Sequence, residues 1–478
     1  MTFILFGFYI FLAIVVAAYY LIPLKYRWVV LLIGSMVFYW YVCQNSVGKL
    51  LMLVGEAGLC WFLGIFIRKD IKRKKFWLII SILITALPLL TIKESTFFWG
   101  TIMHKSMPDW WLVPVGVSFY SMWLIAYVVD IYIGETDPEK NLFKFLLFVS
   151  FFPQIIQGPI PRHKQLAHQL TEGHRFDEQS FVKGFMLILW GFFLKLCIAD
   201  KAGVIVDTVF NNNQAYHGMY VLMAGVLYSF QLYADFSACT SFVQGMSGLF
   251  GIDIINNFNH PYFSISTKDF WRRWHISLSS WLRDYIYIPL GGNRKGKIRK
   301  YINLLITFAL SGIWHGAGYK FLFWGLLHGV YQIVGELLMP VRDYVAKKLH
   351  LEIHWIFKTI FTFFIVMFAW IIFRADHLKT GLLMIKSIFT VYNPWILTND
   401  ALFELGLSWK EWLVLLFCLI VLLIVSWYQE KGIQIRDKIL SYNLFTRWCI
   451  YIGTIIFIMI FGSYGYGFDS KAFIYGGF

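Results

Sequence analysis

Uncharged apolar runs, separated by short polar stretches, recur along the whole chain. Residues 3–22 are long enough to cross a hydrocarbon core of about 30 Å as one helix. Similar runs follow at about 28–43, 47–67, 76–92, 112–133, 181–199, 218–234, 301–319, 320–339, 355–373, 412–427 and 446–466, with ambiguous segments at 143–157 and 236–252. This pattern predicts an all-α polytopic membrane protein with roughly 11–13 transmembrane or re-entrant helices.

The basic loops predict the orientation of these helices. The first apolar run lacks a basic segment before it and a clear cleavage site, so we expect an anchor and not a signal peptide. Residues 68–75 read RKDIKRKK, and short loops rich in Lys and Arg lie in the cytoplasm. Counting spans backwards places the KYR loop at 25–27 inside as well, with the N-terminus outside.

Composition narrows the class of protein. Only 14% of the residues are charged, against about 25% in soluble globular domains. The net charge is +15, but the basic residues fall in loops between spans, so we do not expect nucleic-acid binding. The six cysteines lie mostly in apolar runs without C-x-x-C spacing, and the histidines at 163, 168 and 174 do not share one helix face. We therefore expect no disulfide framework and no metal site.

The middle of the chain is unusually polar. Between Lys268 and Lys300 there are nine Lys or Arg residues against two Asp. Apolar side chains recur there at three- and four-residue spacing, at Trp271, Trp274, Leu278, Trp281, Leu282 and Tyr285. Such a stripe beside basic residues is typical of a helix at the membrane interface. Ser266 or Thr267 is expected to cap this helix, and Pro289 with the glycines after it to end it.

The basic loop NRKGKIRK follows this helix, at residues 293–300. One interpretation is a cytoplasmic loop that contacts anionic membrane lipid. The other is that its Arg and Lys side chains meet a phosphate-bearing donor, although no glycine-rich phosphate motif accompanies them.

Three histidines lie in or beside apolar runs. His275 falls inside the predicted interfacial helix, His315 near the end of the next apolar segment, and His328 in the following span. Ionisable groups at this depth usually mark a functional site, with a hydrogen-bonded structural role as the alternative. No Asp or Cys nearby completes a nucleophilic triad. A lone imidazole suits direct transfer, in which it takes the proton of an incoming hydroxyl as that oxygen attacks an activated substrate.

Polar residues interrupt two other apolar segments. Gln231 and Asp235 lie within QLYADFSACTSF, and prolines break the run around residues 153–161. Irregular backbone is tolerated in a membrane only against protein or a wet cavity. Interhelical hydrogen bonding and cavity lining both remain open as roles for these polar side chains.

Five stretches resemble the membrane-bound O-acyltransferase family, most closely its bacterial branch. They read FNHPYFSISTKDFWRRWHISLSSWLRDYIYIPLGGNRKG (258–296), LSGIWHGAGYKFLFWGLLHGVY (310–331), FPQIIQGPIPRHKQL (152–166), YADFSACTSF (233–242) and AFIYGGF (472–478). The resemblance implies a single membrane acyltransferase domain over 1–478, with its catalytic core at about 110–331. It also implies a ring of tilted helices around a central tunnel.

The resemblance places roles on numbered residues. His315 falls on the family's membrane-embedded histidine, a general base, and His275 on its second polar position, which would orient the donor or polarise its carbonyl. Beyond these two family positions, we expect Trp274 and Trp314 to pack against the acyl path and Asn303 to be a hydrogen-bonding partner within its span. The inner mouth would consist of Arg272, Arg273, Arg283 and Asp284, and Gln231 and Asp235 would contact substrate.

The implied reaction moves an acyl group from a cytoplasmic thioester, acetyl-CoA or an acylated carrier protein, to an extracellular polysaccharide of a bacterial envelope. Transfer would be direct or through an extracellular-side partner of the SGNH type with its own serine. No permanently bound cofactor is expected. Transfer of D-alanine to teichoic acid, export of a polymer or lipid-linked sugar, and a scaffold that docks another enzyme are the alternatives.

Overall fold

A computed structural model describes residues 3–97, 99–100, 103–106, 108, 112–348 and 355–464. The first residues of the predicted catalytic core, 110 and 111, and the whole of the AFIYGGF motif lie outside the described residues. Within those ranges the chain is helical and has no β-strand, which confirms the all-α class.

The α-helices, in chain order, are α1 Phe6–Leu21, α2 Arg27–Val42, α3 Val47–Lys69, α4 Lys74–Phe97, α5 Val117–Ile133, α6 Leu142–Ser150, α7 His163–Glu172, α8 Glu178–Phe192, α9 Asp200–Asn211, α10 Met219–Gly248, α11 Thr267–Arg273, α12 Ile276–Leu282, α13 Gly296–His315, α14 Tyr319–Leu337, α15 Met339–Lys348, α16 Trp355–Arg374, α17 Leu378–Thr390, α18 Trp409–Glu430, α19 Ile435–Leu440 and α20 Leu444–Phe461. Two π-helical segments, Phe193–Ala199 and Arg283–Tyr287, continue α8 and α12.

Six stretches of the described chain are long and apolar enough to cross a membrane, and a seventh forms if α14 and the start of α15, bent by 45°, count as one span. The six are Val47–Lys69, Lys74–Ile92, Glu178–Asn211, Trp355–Arg374, Trp409–Glu430 and Leu444–Phe461. These helices make the chain a multi-pass membrane protein. Other predicted runs form shorter or merged helices. The run at 143–157 overlaps only the nine-residue helix α6, and the runs at 218–234 and 236–252 form the single helix α10.

The described residues form two compact units. The first comprises 3–188 and 239–256, where α3 packs on α4 and α5, and α6 packs on α2 and α7. The second comprises 189–238 and 257–464, where α13 packs along α14, and α14 packs on α11 and α16. Every residue to which the sequence assigned a role in the site belongs to the second unit.

Two glycines let α13 and α14 pack closely. A Cβ at Gly312 would lie 2.2 Å from the carbonyl oxygen of Phe321, and one at Gly325 would lie 2.2 Å from that of Phe308. No real side chain fits at such distances, so each position requires glycine for backbone contact. Gly312, three residues before His315, therefore allows the two helix backbones to touch. This contact fixes the end of α13 against the start of α14.

Candidate active site

His315 is the last residue of α13 and is only 2% exposed. Its ring lies among three aromatic side chains, with centroid distances of 4.9 Å to Trp314, 5.0 Å to Trp324 and 5.6 Å to Phe373. The contacts to Trp324 and Phe373 are edge-to-face, an arrangement that favours aromatic pairs and fixes ring orientation. The imidazole is thus held in a defined place by helices α13, α14 and α16.

His275 lies at a break between two short helices. The periodic pattern predicted one interfacial helix from 267 onward, but α11 ends at Arg273 and α12 begins at Ile276. His275 adopts a left-handed backbone conformation with φ 45°, which costs about 1–2 kcal/mol for a residue with a Cβ. The predicted cap at the start is confirmed, because the Ser266 hydroxyl accepts a hydrogen bond from the Asp269 amide at 3.1 Å.

Asn257 stabilises this break from the preceding loop. Its backbone carbonyl accepts a bond from the Ile276 amide at 2.9 Å. Its side-chain oxygen accepts bonds from the Ser277 amide at 3.0 Å and from the Ser277 hydroxyl at 2.7 Å. These bonds satisfy the first orphan donors of α12, which is the role that capping residues play. The strained conformation at His275 is therefore set by tertiary contacts.

His275 is fully buried, and neither of its ring nitrogens has a hydrogen-bond partner among the described residues. Its ring contacts Phe236 at 4.7 Å and Trp314 at 6.1 Å. Since Trp314 also contacts His315, the structure brings both predicted histidines onto one indole, although 40 residues separate them in the chain. A buried polar group without a partner costs about 1–3 kcal/mol, which is typical of a position that a ligand or water completes.

His328 also belongs to this cluster. It is fully buried in the middle of α14, and its ring lies 4.9 Å from that of Trp324, which in turn contacts His315. The indole N–H of Trp271 donates to His328 Nδ1 at 3.2 Å. The sequence identifies this histidine as exceptional but does not indicate a role for it. The signal was an ionisable residue in an apolar run, the same signal that identified His315.

Trp274 and Trp314 lie in different parts of the aromatic cluster. Trp314 is half-buried and touches both His275 and His315. Trp274 is 1% exposed, stacks on Phe270 at 5.5 Å and contacts Trp370 at 5.1 Å. Trp314 thus contacts both histidines, whereas Trp274 contacts other aromatic rings, and the predicted contact of the two tryptophans with the acyl path stays a prediction.

The four residues predicted to form the inner mouth have different surroundings. Arg272 is exposed. The Arg273 guanidinium lies 2.6 Å from a Glu430 oxygen and 3.2 Å from an Asp269 oxygen, and the hydrogen bond to Glu430 raises the pKa of Arg273. Arg283 pairs with Asp284 at 2.8 Å. Arg273 is therefore occupied in an ion network that ties α11 to the end of α18.

Of the remaining predicted site residues, Asn303 and Asp235 make contacts within the protein. The Asn303 amide donates to the carbonyls of Gly292 at 2.9 Å and Leu290 at 3.3 Å, which anchors the loop after α12 to α13. Asp235 forms a buried ion pair with Lys195 at 2.7 Å. Gln231 is 8% exposed, and its side-chain oxygen has no partner among the described residues. Substrate contact for these three residues remains a prediction.

The arrangement can support proton transfer to an oxygen nucleophile. Three imidazoles share an enclosure of tryptophan and phenylalanine rings, where low polarity strengthens every electrostatic interaction. Within the described ranges, no group of three or more His, Cys, Asp or Glu side chains is placed to hold a metal ion.

Comparison with known proteins identifies the family of the chain. Residues 139–374 match the family model described as MBOAT, membrane-bound O-acyltransferase family. The chain is 34% identical over 404 residues to the probable alginate O-acetylase of Pseudomonas aeruginosa. That alignment covers 82% of this chain and 75% of the relative. It is 32% identical over 390 residues to the peptidoglycan O-acetyltransferase of Helicobacter pylori, covering 75% and 73%.

A more distant relative is the teichoic acid D-alanyltransferase of Bacillus subtilis, 30% identical over 229 residues, or 45% of this chain and 57% of that one. Every residue to which the sequence assigned a role lies within the matched range 139–374. With its multi-pass helices and its buried histidine pair, the chain belongs to the membrane-bound O-acyltransferase family.

Proposed function

We propose that this membrane O-acyltransferase moves an acetyl group from a cytoplasmic thioester to a hydroxyl of an extracellular cell-envelope polysaccharide. The relatives that align over most of their length are named an alginate O-acetylase and a peptidoglycan O-acetyltransferase. The D-alanyltransferase relative aligns over a smaller share of both chains. This difference in alignment coverage favours an acetyl group as the group transferred and a polysaccharide as its acceptor.

The observation that carries this proposal is the position of His315, buried in an aromatic enclosure at the end of α13. As the acceptor oxygen adds to the thioester carbonyl carbon, His315 takes the hydroxyl proton. The carbon–sulfur bond then breaks, and the proton passes to the sulfur to give a free thiol and an ester. General base help of this kind contributes about 10²–10⁴ in rate. His275, touching the same indole, orients the thioester or polarises its carbonyl.

The donor and partner are further parts of the proposal. The donor is acetyl-CoA or an acylated carrier protein, since either offers a thioester on the cytoplasmic side. Exposed Arg272, close in sequence to the basic loop, gives a cationic approach for such a donor. Transfer to the polysaccharide is direct or passes through an extracellular SGNH-type partner. The basic loops at 25–27 and 68–75 support an orientation with the N-terminus outside. The bacterial relatives favour a location in a bacterial inner membrane.

Ester analysis of the cell envelope tests this function. Cells that carry only the His315→Ala variant should lose base-labile acetate from the envelope polysaccharide, at a normal level of the membrane protein. The exposed His377 is the control, and His377→Ala should leave the ester content unchanged. Release of D-alanine instead of acetate from wild-type envelopes would favour the D-alanyl alternative. Normal ester content with His315→Ala would overturn the proposed role of the imidazole.

A further inference from the structure

Three buried nitrogen atoms lie in one cluster next to the histidine pair. Trp324, Trp370 and His328 are each fully buried. Their rings are in mutual contact, with centroids 5.6 Å apart for the two tryptophans, 4.9 Å for Trp324 and His328, and 6.0 Å for His328 and Trp370. The indole nitrogens and His328 Nε2 have no hydrogen-bond partner among the described residues.

All three atoms are hydrogen-bond donors. An indole nitrogen can only donate. The tautomer of His328 follows from Trp271, whose indole N–H donates to Nδ1 at 3.2 Å. Because Nδ1 uses its lone pair in that bond, the proton of the neutral ring is on Nε2. The cluster therefore presents three N–H groups and lacks an acceptor.

Some other indoles of this protein meet acceptors, although the buried Trp123 indole nitrogen also has no partner among the described residues. The N–H of Trp61 donates to the Glu139 carbonyl at 2.7 Å, and that of Trp412 donates to the Leu402 carbonyl at 3.2 Å. Leaving a buried donor unpaired costs about 1–3 kcal/mol, so three such donors in contact indicate a site that a ligand atom completes. Since every missing bond needs an acceptor, the atom that completes the site carries lone pairs, as a carbonyl oxygen or a water oxygen does.

The cluster lies beside the proposed general base. The Trp324 ring is 5.0 Å from the ring of His315, and Phe373 packs against both, at 5.1 Å from Trp324 and 5.6 Å from His315. An oxygen bound by these donors is therefore adjacent to the place where His315 removes a proton. In a transfer between a thioester and a hydroxyl, the acceptor oxygen that develops charge at that place is the carbonyl oxygen of the acyl group.

We propose that His328, Trp324 and Trp370 bind the carbonyl oxygen of the acyl group and stabilise the charge it gains during transfer. This inference rests on the proposed function. When the hydroxyl oxygen adds to the carbonyl carbon, one electron pair moves onto the carbonyl oxygen, where the N–H groups receive it. That pair then re-forms the double bond as the carbon–sulfur bond breaks, and the thiol leaves with the proton from His315. Removing one such donor from an acyl-transfer enzyme costs about 10²–10³ in rate.

Two variants of His328 separate its two nitrogens. The side-chain amide of glutamine reaches the position of Nε2, whereas that of asparagine reaches only the position of Nδ1. His328→Gln therefore keeps the donor toward the acyl oxygen, and His328→Asn keeps the bond from Trp271. The readout is the initial rate of acetate incorporation into the envelope polysaccharide after induction of each full-length variant, divided by its level in the membrane. This assay uses the natural donor and acceptor of the cell.

We expect His328→Gln to retain the rate within about tenfold and His328→Asn to lose about 10²-fold. The exposed His217 provides the matched control, and both of its corresponding variants should behave as wild type. Equal losses for the two His328 variants, or the better rate for His328→Asn, would overturn the proposal, because His328 would then serve only Trp271 or the packing.

Trp370→Phe decides the question if the His328 variants do not accumulate. It removes one N–H and keeps an aromatic ring, and we expect a rate loss of at least about tenfold at a normal protein level. Trp412→Phe, which loses an N–H already bonded to a carbonyl, is the control. A rate within twofold of wild type with only a lower melting temperature would mean that a buried water fills the site, and would overturn the proposal. If His315→Ala abolishes acetylation while Trp370→Phe does not, this inference fails and the proposed function stands.

Discussion

The second unit contains two buried polar clusters that are completed in opposite ways. In one, the Lys195 ammonium, 3% exposed, lies 2.8 Å from an Asp200 oxygen and 2.7 Å from an Asp235 oxygen. In the other, the imidazoles of His275 and His328 and the indoles around them lie among aromatic rings. The first cluster is charged and finds its partners within the protein. The second consists of groups that can be neutral, and several of its nitrogens have no hydrogen-bond partner among the described residues.

This difference distinguishes buried polar groups that stabilise the fold from buried polar groups that are available to a ligand. A buried charge stays charged only with a counter-charge at hydrogen-bond distance, so a paired lysine primarily holds helices together. A buried neutral donor can be left open at a cost of about 1–3 kcal/mol, which ligand binding recovers. The same sequence pattern, a polar residue in an apolar run, identifies both Asp235 and His315 as candidate site residues. The structure places Asp235 in the charged cluster and His315 in the aromatic one.

The largest expected effect is on the rate of transfer at His315. His315→Gln keeps a polar side chain but cannot take up a proton, so transfer should fall by about 10²–10⁴. The free energy of unfolding should change little beyond the lost ring packing. Acetate incorporation and thermal unfolding, measured on the same preparation, distinguish the two. A large drop in melting temperature with transfer intact would place His315 with the structural cluster.

Lys195→Met should have the opposite signature. It leaves Asp200 and Asp235 buried without their cation, and breaking a buried pair typically costs about 3–5 kcal/mol of folding stability. Thermal unfolding in detergent and the amount of protein in the membrane should both fall. The double variant Lys195→Met/Asp235→Asn should recover part of the loss. If the single variant is as stable as wild type, the ion cluster is not what holds these segments.

Gly312→Ala tests the backbone contact beneath His315. The new methyl group would lie 2.2 Å from the Phe321 carbonyl oxygen, and overpacking of this kind costs about 1–3 kcal/mol. We expect a lower melting temperature and, because α13 carries His315, a lower transfer rate as well. Gly335 in α14 has no neighbouring atom within 4 Å of an added Cβ. Gly335→Ala is therefore the matched control and should be neutral or stabilising.

The smallest expected effect is at His260, which contacts the end of α18 through Gln429 and Glu430. Burial lowers the pKa of His260, while hydrogen bonding to Glu430 opposes that shift. The unfolded chain therefore binds the proton more readily, and stability should fall slightly as the pH drops below the usual histidine pKa of about 6.5. His260→Gln should remove this slope from melting temperatures measured across pH 5–8. An unchanged slope would assign it to other groups.

The sequence predicted the helices of the site better than their ends and their junctions. The apolar runs at 301–319 and 320–339 correspond to α13 and α14, and the Ser266 cap has the expected bond. The break at His275 was not predictable, because residues 271–285 keep a continuous three- and four-residue spacing without proline or glycine. Asn257, from a loop earlier in the chain, imposes that break through tertiary hydrogen bonds.

The cluster of N–H donors at Trp324, Trp370 and His328 could not be predicted from the sequence, for a similar reason. Trp271 and His328 are 57 residues apart, and only the packing of α11 on α14 joins them. Spacing could identify His275 and His315 as exceptional, and family resemblance supplied their roles. A tryptophan N–H lacks an acceptor because of the side chains that surround it where three helices meet. No local sequence pattern predicts those surroundings. The central tunnel implied by the resemblance stays a prediction.

The two glycine contacts between α13 and α14 limit how this enzyme can open and close. Helices whose backbones touch at Gly312 and Gly325 cannot slide past each other without a collision of main-chain atoms. His315 on one helix and His328 on the other therefore keep a fixed separation throughout a catalytic cycle. Any gating that admits a donor or releases a product must come from side chains such as half-buried Trp314 or from elements outside this pair.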